Sequence, residues 1–304
     1  MSARPGHAVG SAAEALVPGS REAAAPAARG RDRFRRLRRN PLALASLVYL
    51  VLIVGAAALA PAVTPYGPDR IVIGDVLLPP SARHWLGTDP NGRDEWTRLL
   101  YGARISLAIG IVAMLVSVAI GTAVGAVAGA WGGAVDAVAM RVTDAMLAVP
   151  VFFLLLTALA ALGATVVNIV LAIGVSSWMP AARVVRSEVL RTRHLEYVTA
   201  ARGLGAGEWR IVARHLLPQA TPSMLVASTL GVGQAILVES ALSYLGVGVQ
   251  PPTASWGNML SHAQNYIFAS PLLALWPGIA ILLTVLAFNF IGDALRDTLS
   301  PYQT

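Results

Sequence analysis

Residues 145–182 read AMLAVPVFFLLLTALAALGATVVNIVLAIGVSSWMPAA, a run of 38 residues without a charged side chain. As one helix this run would be about 57 Å long, nearly twice the thickness of the hydrocarbon core of a bilayer. So many consecutive apolar residues need lipid or protein around them rather than water. We therefore predict a hairpin of two membrane-crossing helices that turns at residues 163–168.

The rest of the chain extends this pattern to about six spans. The chain is 56% hydrophobic and 13% charged, with a mean hydropathy of +0.63, whereas soluble domains have about 25% charged residues. Four further apolar stretches are predicted to cross the membrane, at residues 42–64, 105–131, 224–245 and 272–292. The predicted fold class is an all-α polytopic membrane protein.

The arginines predict the orientation. All 23 basic residues are arginine, and nine of them lie in residues 1–40 against three acidic residues. With six spans both termini lie on one side, and 18 of the 23 arginines then fall on that side. By the positive-inside rule this side is cytoplasmic.

The predicted domains follow from these spans. They are a cytoplasmic, largely disordered tail at 1–40, a first helix at 41–64, an extracytoplasmic loop at 65–104, a membrane core at 105–292 and a cytoplasmic tail at 293–304.

Composition also excludes several kinds of site. Without lysine the chain has no phosphate-binding loop of the Walker type, because that loop needs a lysine to reach the phosphates. The chain has no cysteine, and its five histidines are scattered, so we expect no metal site and no catalytic residues. The net charge of +7 comes from arginines beside spans, which predicts topogenic charge rather than binding to nucleic acid.

Between the fourth and fifth predicted spans lies a long polar segment. Residues 183–218 read RVVRSEVLRTRHLEYVTAARGLGAGEWRIVARHLLP. The residues up to Arg202 favour helix, the glycines that follow interrupt it, and a second short helix is predicted to end at Pro218. From these residues alone, one interpretation is an interfacial helix that holds arginines near anionic lipid.

The spacing of small residues in this segment resembles the EAA loop of ABC importer permeases. That resemblance implies a coupling helix that docks into a cleft on an ATP-binding subunit. Thr199 stands where the motif is named for glutamate, His215 stands where isoleucine is usual, and Glu196 lies one turn earlier. The positions implicated in coupling are Glu196, Thr199, Ala200, Ala201, Gly205, His215, Leu217 and Pro218.

Two more segments narrow the family. Residues 84–94 (HWLGTDPNGRD), followed by YGARISL at 101–107, and residues 239–260 (ESALSYLGVGVQPPTASWGNML) resemble the C-type permeases of dipeptide, oligopeptide and nickel importers. With the first span, the resemblance covers residues 33–302. It implies the type I ABC importer permease fold in the bacterial cytoplasmic (inner) membrane.

The resemblance also implies partners and a solute. These are a second, related permease, one or two kinds of cytoplasmic ATPase subunit that bind ATP and Mg, and an extracytoplasmic solute-binding protein. The solute would be a short peptide, or alternatively a nickel chelate, glutathione or another small molecule. The loops at 65–100 and 246–270 are candidate docking surfaces for the binding protein.

Polar residues inside the predicted spans are candidates for the translocation pathway. Glu239 is the only charged one, and it could either contact the solute or be a buried structural acid. Gln234, Ser243 and Asn289 are the others considered for this role. A proton- or ion-coupled secondary transporter would need paired ionisable residues in its spans, and a membrane hydrolase would need a nucleophile and a base; neither pattern is present.

Gly121, Gly125 and Gly129 recur every fourth residue in the second predicted span. Such a row of small residues allows another helix to approach closely. Two alternatives remain open, packing within the chain and packing against the partner permease.

Overall fold

The computed structural model describes residues 40–299, and all regular structure in this part of the chain is helical. A single isolated β-bridge joins Thr88 and Asp94. The predicted tail at 1–40 lies outside the described residues except for Asn40, as do residues 300–304. The main helices are α1 (Pro41–Ala58), α2 (Glu95–Trp131), α3 (Gly133–Ala148), α4 (Val151–Leu162), α5 (Val166–Ser176), α6 (Met179–Thr192), α7 (Glu196–Gly203), α8 (Leu217–Tyr244), α9 (Trp256–Ala263) and α10 (Leu272–Leu299). Shorter helical turns are Ala60–Val63, Ile73–Asp75, Glu208–Ile211, Val212–Leu216 and Gln264–Tyr266.

Four of these helices are long and apolar enough to cross a membrane: α1, α2, α10, and α8 with the turns before it. The pairs α3–α4 and α5–α6 each qualify as a fifth and sixth span when the two helices are taken together, and they bend by 84° and 43° at short breaks. Residues 40–299 therefore contain four candidate spans, or six, as predicted, when each bent pair is counted as one broken span. Length alone could not reveal the bends.

The predicted hairpin turn lies between α4 and α5. Gly163 has φ +83°, and Thr165 begins α5 by accepting a bond from the Asn168 amide at 3.2 Å. The Asn168 side chain also donates to the carbonyls of Leu162 and Gly163, at 2.8 and 2.9 Å. These bonds satisfy the backbone groups that the end of α4 leaves unpaired.

Two helices extend beyond the predicted spans because helix formation does not stop at the first charge. Asp94 caps α2 by accepting from the Thr97 amide at 2.8 Å, so the helix begins at Glu95 and not at residue 105. The predicted loop 65–104 is shorter by the same ten residues. At the other end of the chain α10 continues to Leu299, into the predicted tail at 293–304.

The prediction that Pro218 ends a short helix is wrong. Pro218 lies in the first turn of α8, within a continuous helix from Glu208 to Tyr244. A wide turn at Val212–Leu216 precedes it, in which the Leu217 amide donates to the Val212 carbonyl. Such a turn and the early position in α8 accommodate a residue that has no amide hydrogen. The helix predicted to reach Arg202 is also interrupted, between α6 and α7.

The glycine row of α2 packs within the chain. A Cβ atom placed on Gly121 would lie 2.6 Å from the Ala181 Cβ, and one on Gly129 would lie 2.8 Å from the Val189 Cβ. At Gly125 the obstacle is the backbone of α6 itself. Of the two alternatives, the structure supports packing of α2 against α6 of the same chain.

Replacing Gly125 with valine should force α2 and α6 apart, because the backbone of α6, unlike a side chain, cannot move aside by changing its rotamer. We expect destabilisation of about 1–3 kcal/mol, as for other overpacked interiors. The measurement is the apparent Tm of the detergent-purified protein. Gly55→Val in α1 is the matched control, because no atom lies within 4 Å of an added Cβ there; equal Tm values for the two variants would contradict the packing argument.

Candidate functional site

A cavity of about 1390 Å³ lies among α2, α6, α8, α10 and the bend between α3 and α4. It is larger than most small-molecule sites, which have about 300–1000 Å³. Its lining includes no residue from 65–112 or from 246–271. The cavity therefore lies toward the end of the bundle that carries α7, which is called here the α7 end. The opposite end, where the Trp256 side chain donates to the Leu99 carbonyl, is called the Trp256 end.

One face of α8 forms the longest wall of the cavity. Its lining residues recur at intervals of three and one, as one face of a helix must. They are Gln219, Pro222, Ser223, Val226, Ala227, Leu230, Gly231, Gln234, Ala235 and Val238. Sequence analysis missed Gln219 and Ser223, although they share this helical face with Gln234; the shared periodicity was the signal that could have found them.

Gln234 and Asn289, two of the four residues predicted for the pathway, lie on the cavity wall. The charged lining residues lie nearer the α7 end. There Glu188 accepts from Ser223 Oγ at 2.8 Å and from the Arg191 guanidinium at 2.7 Å. The wall is therefore uncharged in its deeper part, where Gln234 and Asn289 lie among apolar residues, and charged where it approaches α7.

Glu239 and Ser243, the other two predicted residues, are not on the wall but buried between helices. The Glu239 carboxylate accepts from Ser106 Oγ at 3.0 Å and from Ser243 Oγ at 2.7 Å. Each serine oxygen in turn accepts a hydrogen bond from a backbone amide of the 246–256 loop. Ser106 Oγ accepts from the Trp256 amide at 3.2 Å, and Ser243 Oγ accepts from the Val249 amide at 2.9 Å. These contacts support the structural role for Glu239, in which one carboxylate joins α2, α8 and the loop.

At the α7 end, Gly205 terminates α7 in a Schellman motif. The Ala206 amide donates to the Ala201 carbonyl at 3.0 Å, and the Gly205 amide donates to the Arg202 carbonyl at 2.9 Å. Gly205 has φ +83°, a conformation that L side chains rarely adopt. This backbone requirement explains why a glycine stands at this position.

Arg202 clamps the two sides of this turn together. Its guanidinium donates to both Glu208 carboxylate oxygens, at 2.9 and 3.2 Å, and to the Arg193 carbonyl at 3.2 Å. The Glu208 carboxylate holds the pKa of Arg202 above its usual value. Arg193 donates to the Gly129 carbonyl at 3.1 Å, which ties the segment to the end of α2.

α7 buries one side and exposes the other. Val198 is fully buried in an apolar cluster with residues of α6 and of the 211–216 turn, whereas Leu204 is 89% exposed. Among the predicted coupling residues, Glu196, Thr199, Ala200, Gly205 and Pro218 are exposed, and Ala201, His215 and Leu217 are partly buried. Leu195, Tyr197 and Trp209 are further exposed apolar residues of this surface.

Comparison with known proteins identifies the family. Residues 121–303 match the family described as binding-protein-dependent transport system inner membrane component. The chain belongs to this family. Residues 29–80 also match the N-terminal transmembrane domain of oligopeptide transport permease C.

Relatives of this transport-system component cover most of its length. It is 40% identical to the glutathione transport system permease protein GsiD of Pectobacterium atrosepticum, over 89% of this chain and 90% of that protein. It is also 40% identical to the dipeptide transport system permease protein DppC of Bacillus subtilis, over 89% and 85%. The nickel transport system permease protein NikC of Escherichia coli K12 is 40% identical over 78% and 86%.

The fold of this inner membrane component is similar to that of a chain in the MetNI methionine ABC transporter, solved in an inward-facing conformation. The match has a TM-score of 0.54 at 19% identity and covers 67% of this chain and 97% of that chain. At this identity the likeness concerns the fold alone. It confirms the predicted type I importer permease fold.

Glu239→Gln should lower the yield of folded protein, because a neutral amide cannot accept from both serines as a carboxylate does. Transport per assembled complex should stay within about twofold of wild type, since Glu239 does not reach the cavity wall. The measurement is solute uptake divided by the amount of complex recovered from membranes. Glu188→Gln is measured in parallel, because the Glu188 carboxylate, unlike that of Glu239, lines the cavity. Normal assembly with lost transport would instead assign Glu239 to the pathway.

Gly205→Ala should strain the turn after α7 by about 1–2 kcal/mol, the cost of a left-handed conformation for an L residue. Faster hydrogen exchange of the amides of residues 204–206 is the expected result. Gly203→Ala is the control, because Gly203 has a negative φ and equally open surroundings. Identical exchange in both variants would contradict the role of the positive φ.

Proposed function

We propose that this chain is the channel-forming permease of an ATP-driven importer that passes short peptides, or a related small solute, delivered by an extracytoplasmic binding protein. One observation carries the proposal: α6, which supplies Val184, Glu188 and Arg191 to the cavity wall, leads into the surface helix α7, which the Arg202 clamp holds in place. Membership of the family supports the general role, and the names of the relatives support a peptide or similarly small solute.

The surface around α7 is the proposed docking site for an ATPase subunit. Leu204 and Trp209 are 89% and 68% exposed, and burial in a cleft would stabilise a complex by about 1.5–3 kcal/mol for a side chain such as Leu204. The clamp of Arg202 keeps this surface in one shape. ATP-driven closure of the ATPases would then move α7 together with the structure to which it is tied.

ATP and Mg bind to the ATPase subunits in this proposal, because a chain without lysine has no phosphate-binding loop. One or two kinds of ATPase subunit and a second, related permease complete the complex. The chain itself has no catalytic residue and supplies only the pathway and the coupling surface.

The proposed location is the bacterial inner membrane with both termini in the cytoplasm. The α7 end carries most of the arginines outside the N-terminal tail, including Arg210 and Arg214, which are exposed. A tilted Trp131–Trp209 ring pair, with centroids 4.7 Å apart, fits the membrane interface at this end.

The Trp256 end would then face the binding protein. Ile73 in the loop after α1 and Phe268 in the loop before α10 are 88% and 101% exposed. Exposed apolar residues of this kind on both candidate loops support docking of a protein partner there.

The docking proposal predicts that Ala200→Trp separates the chain from its ATPase. Ala200 is exposed on α7, and a bulky ring there would obstruct a cleft that accepts a helix of small residues. We expect loss of at least about tenfold in co-purified ATPase, with the permease still present in the membrane.

The matched control for Ala200→Trp is Ala82→Trp, at an exposed alanine in the loop at the Trp256 end. This variant should retain the ATPase. Full retention by Ala200→Trp, or solute uptake by the purified chain without any ATPase, would overturn the proposed function.

A further inference from the structure

Gln234 and Asn289 place two primary amides in the deeper part of the cavity. Within residues 40–299 neither side chain has a hydrogen-bond partner, although both line the cavity. The two amides come from neighbouring helices, since a Cβ atom on Gly233 would lie 3.7 Å from Asn289 Oδ1. Gln234 is exposed and Asn289 partly buried, so their donors and acceptors are open to the contents of the cavity on two adjoining walls.

Unpaired amides are costly at membrane depth, and polar side chains persist there when water or a ligand satisfies them. Several other polar groups of the spans are satisfied by the protein itself, whereas Ser117 Oγ, which also lines the cavity, has no partner within residues 40–299 either. Ser223 donates to Glu188, and Ser243 donates to Glu239. The side-chain amides of Gln234 and Asn289 have no protein partner in the part of the chain that the structure describes, so water or a solute in the cavity is expected to satisfy them.

Charge is absent from this part of the wall. The charged residues among those that line the cavity are Glu188, Arg191 and Arg296. Arg296 lies seven residues beyond Asn289 on α10, which is about 10 Å along a helix. A solute beside the two amides thus meets hydrogen-bond donors and acceptors and no formal charge.

We propose that Gln234 and Asn289 form a station that binds the peptide bonds of the solute during translocation. A primary amide offers a carbonyl acceptor and two N–H donors, so it can pair with the C=O and N–H of a peptide bond in either direction. Such pairing is independent of the solute's side chains. This inference rests on the proposed function and assigns the station to amide-bearing solutes rather than metal chelates.

The test compares a peptide with its ester analogue in the complete transporter, reconstituted with its binding protein, ATPases and second permease. The probes are dialanine and alanyl-lactate, which differ by the N–H of the peptide bond. In Gln234→Met and Asn289→Leu we expect dialanine uptake to fall about fivefold each, as for loss of one hydrogen bond. Uptake of the ester should fall less, so the ratio of peptide to ester uptake should decrease.

A change in this ratio reports on the permease alone. The same binding protein serves wild type and variants, so its own preference for peptide over ester affects all of them equally. Leu237→Met is the matched control, since Leu237 lies on the same helix three residues from Gln234, is exposed, and does not line the cavity. Its ratio should equal that of wild type. Assembly is measured as co-purified ATPase, and Gln234→Ala or Asn289→Ala, which also remove the carbonyl acceptor that would pair with the peptide N–H, replace a variant that assembles poorly.

Three results would overturn the proposal, and they differ from one another. An unchanged ratio in both variants removes the station and leaves the importer in place. ATP-dependent uptake of a nickel–histidine chelate without uptake of dialanine or trialanine removes the assignment to peptides. Uptake of dialanine by the purified chain without any ATPase removes the proposed function as well.

Discussion

Close backbone approach to α2 is the constraint on which the bundle depends. Gly121, Gly125 and Gly129 admit α6, while Gly110 admits Ile236 of α8. In a further contact with α2, a Cβ atom added to Gly174 of α5 would lie 2.9 Å from the Ala113 carbonyl oxygen. In lipid the hydrophobic effect does not drive helices together, so dispersion between closely packed atoms has to stabilise these contacts. Small residues at the crossings are what permit that packing.

Polar groups in the same bundle are accommodated in two ways. Glu239 is satisfied by two serines, which also bind the backbone of the 246–256 loop and so connect the carboxylate to the Trp256 end. Gln234 and Asn289 are instead exposed to the cavity. Because unsatisfied groups in hydrocarbon are costly, this division separates structural polar residues from those available to a solute.

α6 connects the cavity to the surface that is proposed to bind the ATPase. Val184 and Glu188 of α6 line the cavity, while other residues of the same helix pack on the glycine row of α2. After Thr192 the chain passes directly into α7, which the Arg202 clamp and buried Val198 hold against the bundle. A displacement of α7 would therefore reach the cavity wall through one rigid element.

The sequence by itself determined the fold class, the hairpin turn near Gly163 and the family, and it predicted the segment that is proposed to couple to an ATPase. These properties depend on local composition, on runs of apolar residues and on motifs that are contiguous in the chain. Only the tertiary structure decided where the broken spans bend, that α8 continues through Pro218, and that Glu239 is buried while Gln234 reaches the cavity. Both side chains lie in one apolar stretch, five residues apart; which of them faces a serine and which faces open space depends on neighbouring helices that are distant in sequence.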